Sequence, residues 1–347
     1  MYKLKYLSVF TLPITVYISF NSTGVFTFLP IIFVFGVIPL VELFFDPGKS
    51  NLDEIEKQKA SNDHFYDIVI YLAMPVQLIF LLMFFKSIQQ PEITSIVFAG
   101  RISALGMMCG VFGINIGHEL GHRTKKWEQL IGEVLLLSSL ETHFLLYHNR
   151  GHHYNVATPG DPATARRGES VYAFWIRSQF GSYIQAWQLE SDRWRRKTGR
   201  SLSYKNRMIR YTMTQITLLI AIYLVFNLSI MLAFLAAAII GILLLETVNY
   251  IEHYGLLRKQ NQEGRYERVM HKHSWNSDHH IGRVMLFELS RHSDHHYKAS
   301  KKYQLLDSLT DSPQMPTGYP GMMMLSLLTP LWFKLMHEKL DRLNHVV

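Results

Sequence analysis

Apolar runs separated by strongly polar stretches divide this chain. Four runs come first, at residues 6–20, 25–45, 66–85 and 93–116, and two follow a long polar stretch, at 211–226 and 228–247. Most approach the ~20 residues an α-helix needs to cross the hydrocarbon layer, and flanking residues can extend the shorter ones. The pattern predicts an all-α integral membrane fold with six transmembrane helices, in a single domain over residues 1–347. Residues 129–147 form a further apolar stretch, but they include Glu133, Ser138, Ser139, Glu141, Thr142 and His143. A charge at the bilayer centre costs about 2.5–3.5 kcal/mol, so this stretch is expected at the interface or packed inside protein. The first run follows Lys3 and Lys5 as a signal peptide would, yet no small-residue cleavage site comes after it. Further spans do, so it reads as a retained helix.

Basic residues orient the spans. Lys3 and Lys5 precede the first, and Lys49, Lys57 and Lys59 lie between the second and third. The stretch 123–210 is rich in Lys and Arg, whereas residues 21–24, 87–92 and Asn227 carry none. The positive-inside rule then puts both ends and the two long polar regions, 117–210 and 248–347, in the cytoplasm of a bacterial inner membrane. The fourth span carries Gly106, Gly110, Gly113, Gly117 and Gly121. Small residues at this spacing form a stripe that lets helices pack closely, a structural use rather than a chemical one.

Composition sharpens the picture. Mean hydropathy is only +0.06, because apolar runs and basic segments cancel. The net charge of +8 suits anionic lipid headgroups or an acidic protein. Nucleic acid is a poor fit, since the Lys and Arg residues lie between hydrophobic spans. One cysteine, Cys109, excludes disulfides, cysteine-ligated zinc and a resident iron–sulfur centre. The chain is instead rich in histidine, with 17.

Those histidines cluster. His118 and His122 (HELGH) fall at the cytoplasmic end of the fourth span, where i and i+4 side chains share a helix face and can share one metal ion. Alone, this is the zinc-peptidase pattern with Glu119 as general base. A second cluster, His148, His152 and His153 (HNRGHH), repeats the i, i+4 pair with a neighbour, and a third is His292, His295 and His296 (HSDHH). His253 follows Glu252 where the sixth span ends. Nine imidazoles exceed what one zinc takes but suit two ions with four or five each. Imidazole binds zinc, copper, iron and nickel, and spacing alone separates iron from copper weakly. A redox metal is favoured, iron above all, because two irons together deliver the electrons that oxygen activation needs.

Glu119, Asp161, Glu252 and Asp294 lie near the clusters and are candidates to accept the second N–H of a ligating ring, or to be surface charges. His271, His273, His279 and His280 form another patch, to be read as supporting partners, an electron-donor docking surface or solvated side chains. His64, His143, His337 and His345 read as ordinary, and Glu42 as helix packing or a contact to the site.

These strings resemble the eight-histidine pattern of membrane di-iron desaturases and hydroxylases, and more closely the alkane 1-monooxygenases. The resemblance rests on residues 148–166 (HNRGHHYNVATPGDPATAR), 168–172 (GESVY), 249–256 (NYIEHYGL), 273–277 (HSWNS) and 291–296 (RHSDHH). It runs from the second span to Leu306, and desaturases share the histidine spacing without NYIEHYGL. Tyr147 stands where the family generally has Glu, Ser290 where it has Gln, and Tyr297 where it has a small residue.

The resemblance implies that His118, His122, His148, His152, His153, His253, His292, His295 and His296 hold two iron ions. It implies O2-dependent hydroxylation of the terminal carbon of a medium- or long-chain alkane taken from the bilayer. The chain shows no nucleotide-binding loop, so electrons would come from rubredoxin and its reductase, an acidic carrier suited to a basic face. Three rival readings remain. A related di-iron enzyme would desaturate a fatty acyl chain or hydroxylate an alkyl-aromatic. An intramembrane zinc protease built on His118 and His122 leaves seven histidines without a purpose. A metal transporter would carry ligands within its spans rather than at their ends.

Overall fold

The computed structural model describes residues 2–90, 93–201 and 203–345. Glu92, at the end of the 87–92 loop that carries no Lys or Arg, and the side chain of His345 lie outside the described residues. Among those described, every regular element is helical, and β pairing is confined to two isolated bridges, Gln260 with Tyr266 and Asn276 with Gln314. Five helical stretches are long and apolar enough to cross a membrane: Gly24–Glu42, His64–Ile88, Ser95–Gly121, Arg207–Val225 and Leu228–His253. They coincide with five of the six expected spans and mark the chain as a membrane protein. The first apolar run is also helical, a 3-10 segment Tyr2–Phe10 continuing into Thr11–Asn21. It is not among the five, and Lys3 and Lys5, which precede the run within the same helical stretch, dilute its apolar character.

The helices form two compact units. The first comprises Met1–Gly36, His64–Tyr147 and Tyr183–Leu245. Its most enclosed helix is Ser95–Gly121, and the glycine stripe explains why. Gly106 and Gly110 admit Ile240 and Leu244 of the Leu228–His253 helix, while Gly113, Gly117 and Gly121 admit Ser139, Leu136 and Leu145. Gly117 and Gly132 meet backbone to backbone, so that a Cβ on Gly132 would stand 2.9 Å from the Gly117 carbonyl oxygen. Only glycine fits there.

That contact lays the Lys126–Leu137 helix against Ser95–Gly121 and carries the following residues into the interior. Ser138, Ser139, Glu141, Thr142 and His143 are all buried, and Phe144 and Leu145 join Ile114 and Leu136 in an apolar cluster. Several of their polar atoms find partners inside the protein. Gln77 donates to Ser138 Oγ (3.1 Å) and Ser139 Oγ to the Cys109 carbonyl (3.1 Å). The 129–147 stretch is therefore packed inside protein, where its hydroxyls can be satisfied. His143 is neutral there, pushed down to about 3 by burial.

The second unit comprises Val37–Asp63, His148–Ser182 and Glu246–Val347. Buried arginines stitch its segments together. Arg283 pairs with Glu288 (3.0 Å) and donates to the Gly48 carbonyl (2.6 Å), and Arg291 donates to those of Leu306 (2.6 Å) and Ser50 (3.0 Å). Glu42, buried, accepts from the Gly282 N–H (2.8 Å). It therefore serves as an anchor for the 278–291 segment. Arg177 does the same for the loop after the second histidine cluster, donating to the carbonyls of Pro162 (2.9 Å) and Thr164 (3.1 Å) while pairing with Glu169 (2.6 Å).

Overpacking at the glycine contact is the prediction here. Gly132→Ala should cost about 1–3 kcal/mol and lower the thermal midpoint in detergent by several degrees. Gly36→Ala, whose added methyl would meet only Ile32 at 3.8 Å, should leave it unchanged.

Candidate metal centre

In the first unit, His118 and His122 close the Ser95–Gly121 helix. Their Nε2 atoms are 3.0 Å apart, as the i, i+4 spacing requires, and the His118 ring meets Phe144 edge-on at 5.7 Å. A π-helical stretch, Cys109–Asn115, precedes them. Such wide turns are rare and recur at functional sites.

The second unit gathers the remaining seven. The Leu228–His253 helix ends on His253, the short His292–Tyr297 helix carries His292 and His296 one turn apart, and His152 comes from the second cluster. Nε2 of His292 lies 3.1 Å from that of His253 and 2.9 Å from that of His296, and His296 lies 3.2 Å from His152. All four rings are buried, and they form one candidate metal-holding group. His148, His153 and His295 form a second convergence in this unit, with ligand atoms within 4.8 Å of one another.

The second cluster departs from the expected pairing of His148 with His152. Residues His148–His152 form a π-helical turn, which brings positions five apart into line. His148 therefore meets His153, Nε2 to Nε2 at 3.0 Å, while His152 turns to His296. The same division splits the third cluster, with His295 in one set and His296 in the other.

Hydrogen bonding cannot account for the tetrad. A neutral imidazole nitrogen carries either a proton or an in-plane lone pair. Three successive contacts along His253, His292, His296 and His152 cannot all be satisfied by such atoms. A cation at the meeting point of four lone pairs satisfies them together. Metal–imidazole bonds of about 2.0–2.1 Å at right angles put neighbouring nitrogens roughly 3 Å apart, the spacing observed. Burial, reinforced by neighbouring imidazoles, holds His295 and His296 well below the usual histidine range. They are neutral, the form a metal needs. The donor set thus fits bound metal ions.

The acidic candidates take different posts. Asp161 accepts from His152 Nδ1 (2.9 Å) and from Thr164 Oγ1 (2.7 Å), which fixes the tautomer that presents His152 Nε2 to the tetrad. A tight turn makes this possible. Ala157 adopts a left-handed conformation (φ 57°) and donates its N–H to Thr164 Oγ1 (2.9 Å), folding the chain back over His152.

Glu252 stands elsewhere than behind a ring. Its Oε2 is 3.2 Å from His292 Nε2, the nitrogen that also meets His253 and His296, and its Oε1 accepts from Tyr319 (2.8 Å). Glu119 pairs with Arg123 (2.9 Å), which also pairs with Asp67 (3.0 Å). Asp294 accepts from Lys301 (2.5 Å) and the Asp307 N–H (2.7 Å), tying the following loop to the His292–Tyr297 helix.

The 271–280 patch joins neither metal-holding group among the described residues. His273 accepts from the Met270 N–H (2.9 Å) and faces Glu267 (3.2 Å), His271 meets the Tyr297 ring at 4.6 Å, and His279 bonds Ser277 (3.0 Å). These histidines shape the loop. Tyr319, Thr164 and Arg177 escaped the sequence reading. Thr164 and Arg177 lie within a few turns of the second cluster and were reachable in principle, whereas nothing in the sequence links Tyr319 to Glu252.

This is an all-helical membrane protein whose buried, converging imidazoles could hold metal ions. Residues 94–326 match the fatty acid desaturase family. Alkane 1-monooxygenase 1 of Pseudomonas aeruginosa is 38% identical over 313 residues, covering 89% of this chain and 81% of that protein. Alkane 1-monooxygenase 1 of Alcanivorax borkumensis is 37% identical over 319 residues, covering 91% and 78%. A more distant relative, the xylene/toluene monooxygenase hydroxylase component XylM of Pseudomonas putida, is 28% identical over 274 residues, covering 78% and 73%. The chain belongs to the fatty acid desaturase family and, within it, to the alkane 1-monooxygenases; it is a monooxygenase and hence an oxidoreductase.

Substitution separates ring roles. His292→Ala should strip metal from the purified protein, while His273→Ala should retain it. Asp161→Asn should weaken metal affinity by about 10–100-fold, read by competition with a chelator.

Proposed function

We propose that this enzyme hydroxylates the terminal carbon of a medium- or long-chain n-alkane to the primary alcohol, using O2 and two histidine-held irons. In this reading His118, His122, His148, His152, His153, His253, His292, His295 and His296 hold the two ions, with His152, His253, His292 and His296 serving one of them. The observation that carries it is the buried tetrad, whose spacing hydrogen bonding cannot satisfy, in a chain 38% identical to an alkane 1-monooxygenase.

When bound by these histidines, two irons would supply the redox and Lewis-acid chemistry for activating O2 toward an unactivated C–H bond. The protein's own groups do the rest. Buried neutral imidazoles keep their lone pairs available, Asp161 holds His152 in one tautomer, and Tyr319 donates to Glu252 so that its carboxylate keeps a fixed aim at His292 Nε2. Burial of these groups excludes bulk water, which limits side reactions of an activated oxidant.

The chain works as a single membrane domain of six spans, the first apolar run being the sixth, in the bacterial inner membrane. The charge asymmetry of its loops supports a cytoplasmic site. Rubredoxin, reduced by its reductase, donates the electrons, and the net charge of +8 suits an acidic carrier. The relationship to XylM favours an alkyl-aromatic methyl group as the second substrate reading.

Purified protein given octane, rubredoxin, its reductase and NADH should form 1-octanol and contain two irons per chain. An alkene product would make it a desaturase, benzyl alcohol from toluene with octane untouched would shift the substrate, and a single zinc would refute the chemistry. His148→Ala and His295→Ala should each abolish turnover, while His345→Ala should retain it; equal activity in all three would defeat the ligand assignment.

A further inference from the structure

The Val171–Thr198 helix is 28 residues long, yet it is not among the five helices suited to crossing a membrane. It nonetheless exposes large apolar side chains at every fourth position: Tyr172, Ile176 (65% exposed), Phe180 (66%) and Ile184 (55%). Positions four apart stack along one helix face, so these residues form a continuous stripe. The stripe has a neighbour. Tyr172 Oη donates to the Leu327 carbonyl (2.8 Å), and beside it Leu328 and Leu331 are 55% and 54% exposed on a second segment outside the spans. Beyond the stripe the same helix becomes basic, with Arg193, Arg195, Arg196 and Lys197 followed by Arg200, all exposed.

We infer that this helix lies along the membrane surface, with its Tyr172–Ile176–Phe180 face in the acyl layer and its arginine-rich end among anionic headgroups. An apolar stripe continuing into a cluster of cations matches the layered chemistry of a leaflet, and the spans guarantee that a leaflet is present. A second copy of this chain is the weaker occupant, because the cation cluster that continues the stripe answers anionic headgroups and not the like-charged surface of a chain of net charge +8.

The arrangement bears on the metal site. Arg177 leaves the same helix to hold the Pro162 and Thr164 carbonyls, and Thr164 and Asp161 hold His152. A helix seated in the leaflet therefore fixes the depth at which the His152 loop is held.

The sole cysteine, Cys109, is buried, so an introduced cysteine is the one thiol open to labelling. Ile176→Cys and Phe180→Cys, each carrying a nitroxide, are reconstituted in phosphatidylcholine/phosphatidylglycerol vesicles, with metal content checked to confirm folding. Collision with oxygen should exceed collision with a water-soluble nickel chelate at both positions, and the reverse should hold for Glu263→Cys on an exposed turn. Nickel accessibility at 176 and 180 equal to that at 263 would overturn the proposal. So would spin–spin broadening that disappears on dilution with unlabelled protein, which would assign the face to a second copy.

Discussion

Lone pairs brought together out of water are the constraint on which this structure turns. Four imidazole nitrogens at 2.9–3.2 Å cannot all be satisfied by hydrogen bonds among themselves, and burial denies them water as a substitute. Much of the second unit serves to hold that arrangement. Its buried arginines, the Asp161–Thr164 bracket and the Glu252–Tyr319 pair each fix a segment whose drift would scatter the rings. The hydrocarbon chemistry of the family follows, because a strong oxidant is useful only where its surroundings are dry and stiff.

The membrane helices are the simpler half. Spans are written as uninterrupted apolar runs, so five could be read directly from the chain, and the glycine ladder of Ser95–Gly121 announced close packing before its partners were known. The buried 129–147 stretch was equally readable, because its serines and Glu141 need protein partners rather than lipid. The first run is the weaker case. It is helical, but Lys3 and Lys5 just before it dilute the apolar character of the stretch.

The candidate metal centre was legible in its residue types and less so in its geometry. The i, i+4 spacing located the His118 and His122 pair correctly because the segment is α-helical there. The same spacing misled at His148 and His152, since no residue pattern distinguishes a π turn from an α turn; the difference arises from what the turn packs against. Acidic neighbours were found by proximity alone. That criterion could not separate Asp161, behind a ring, from Glu252, which faces the nitrogens, or from Asp294, which fastens a loop. Contacts between residues remote in sequence, such as Tyr319 with Glu252, leave no local signature.

The interleaving of His152 with His153, and of His295 with His296, ties the two donor sets to the same short backbone segments. An ion held by either set would therefore restrain the backbone that positions the other.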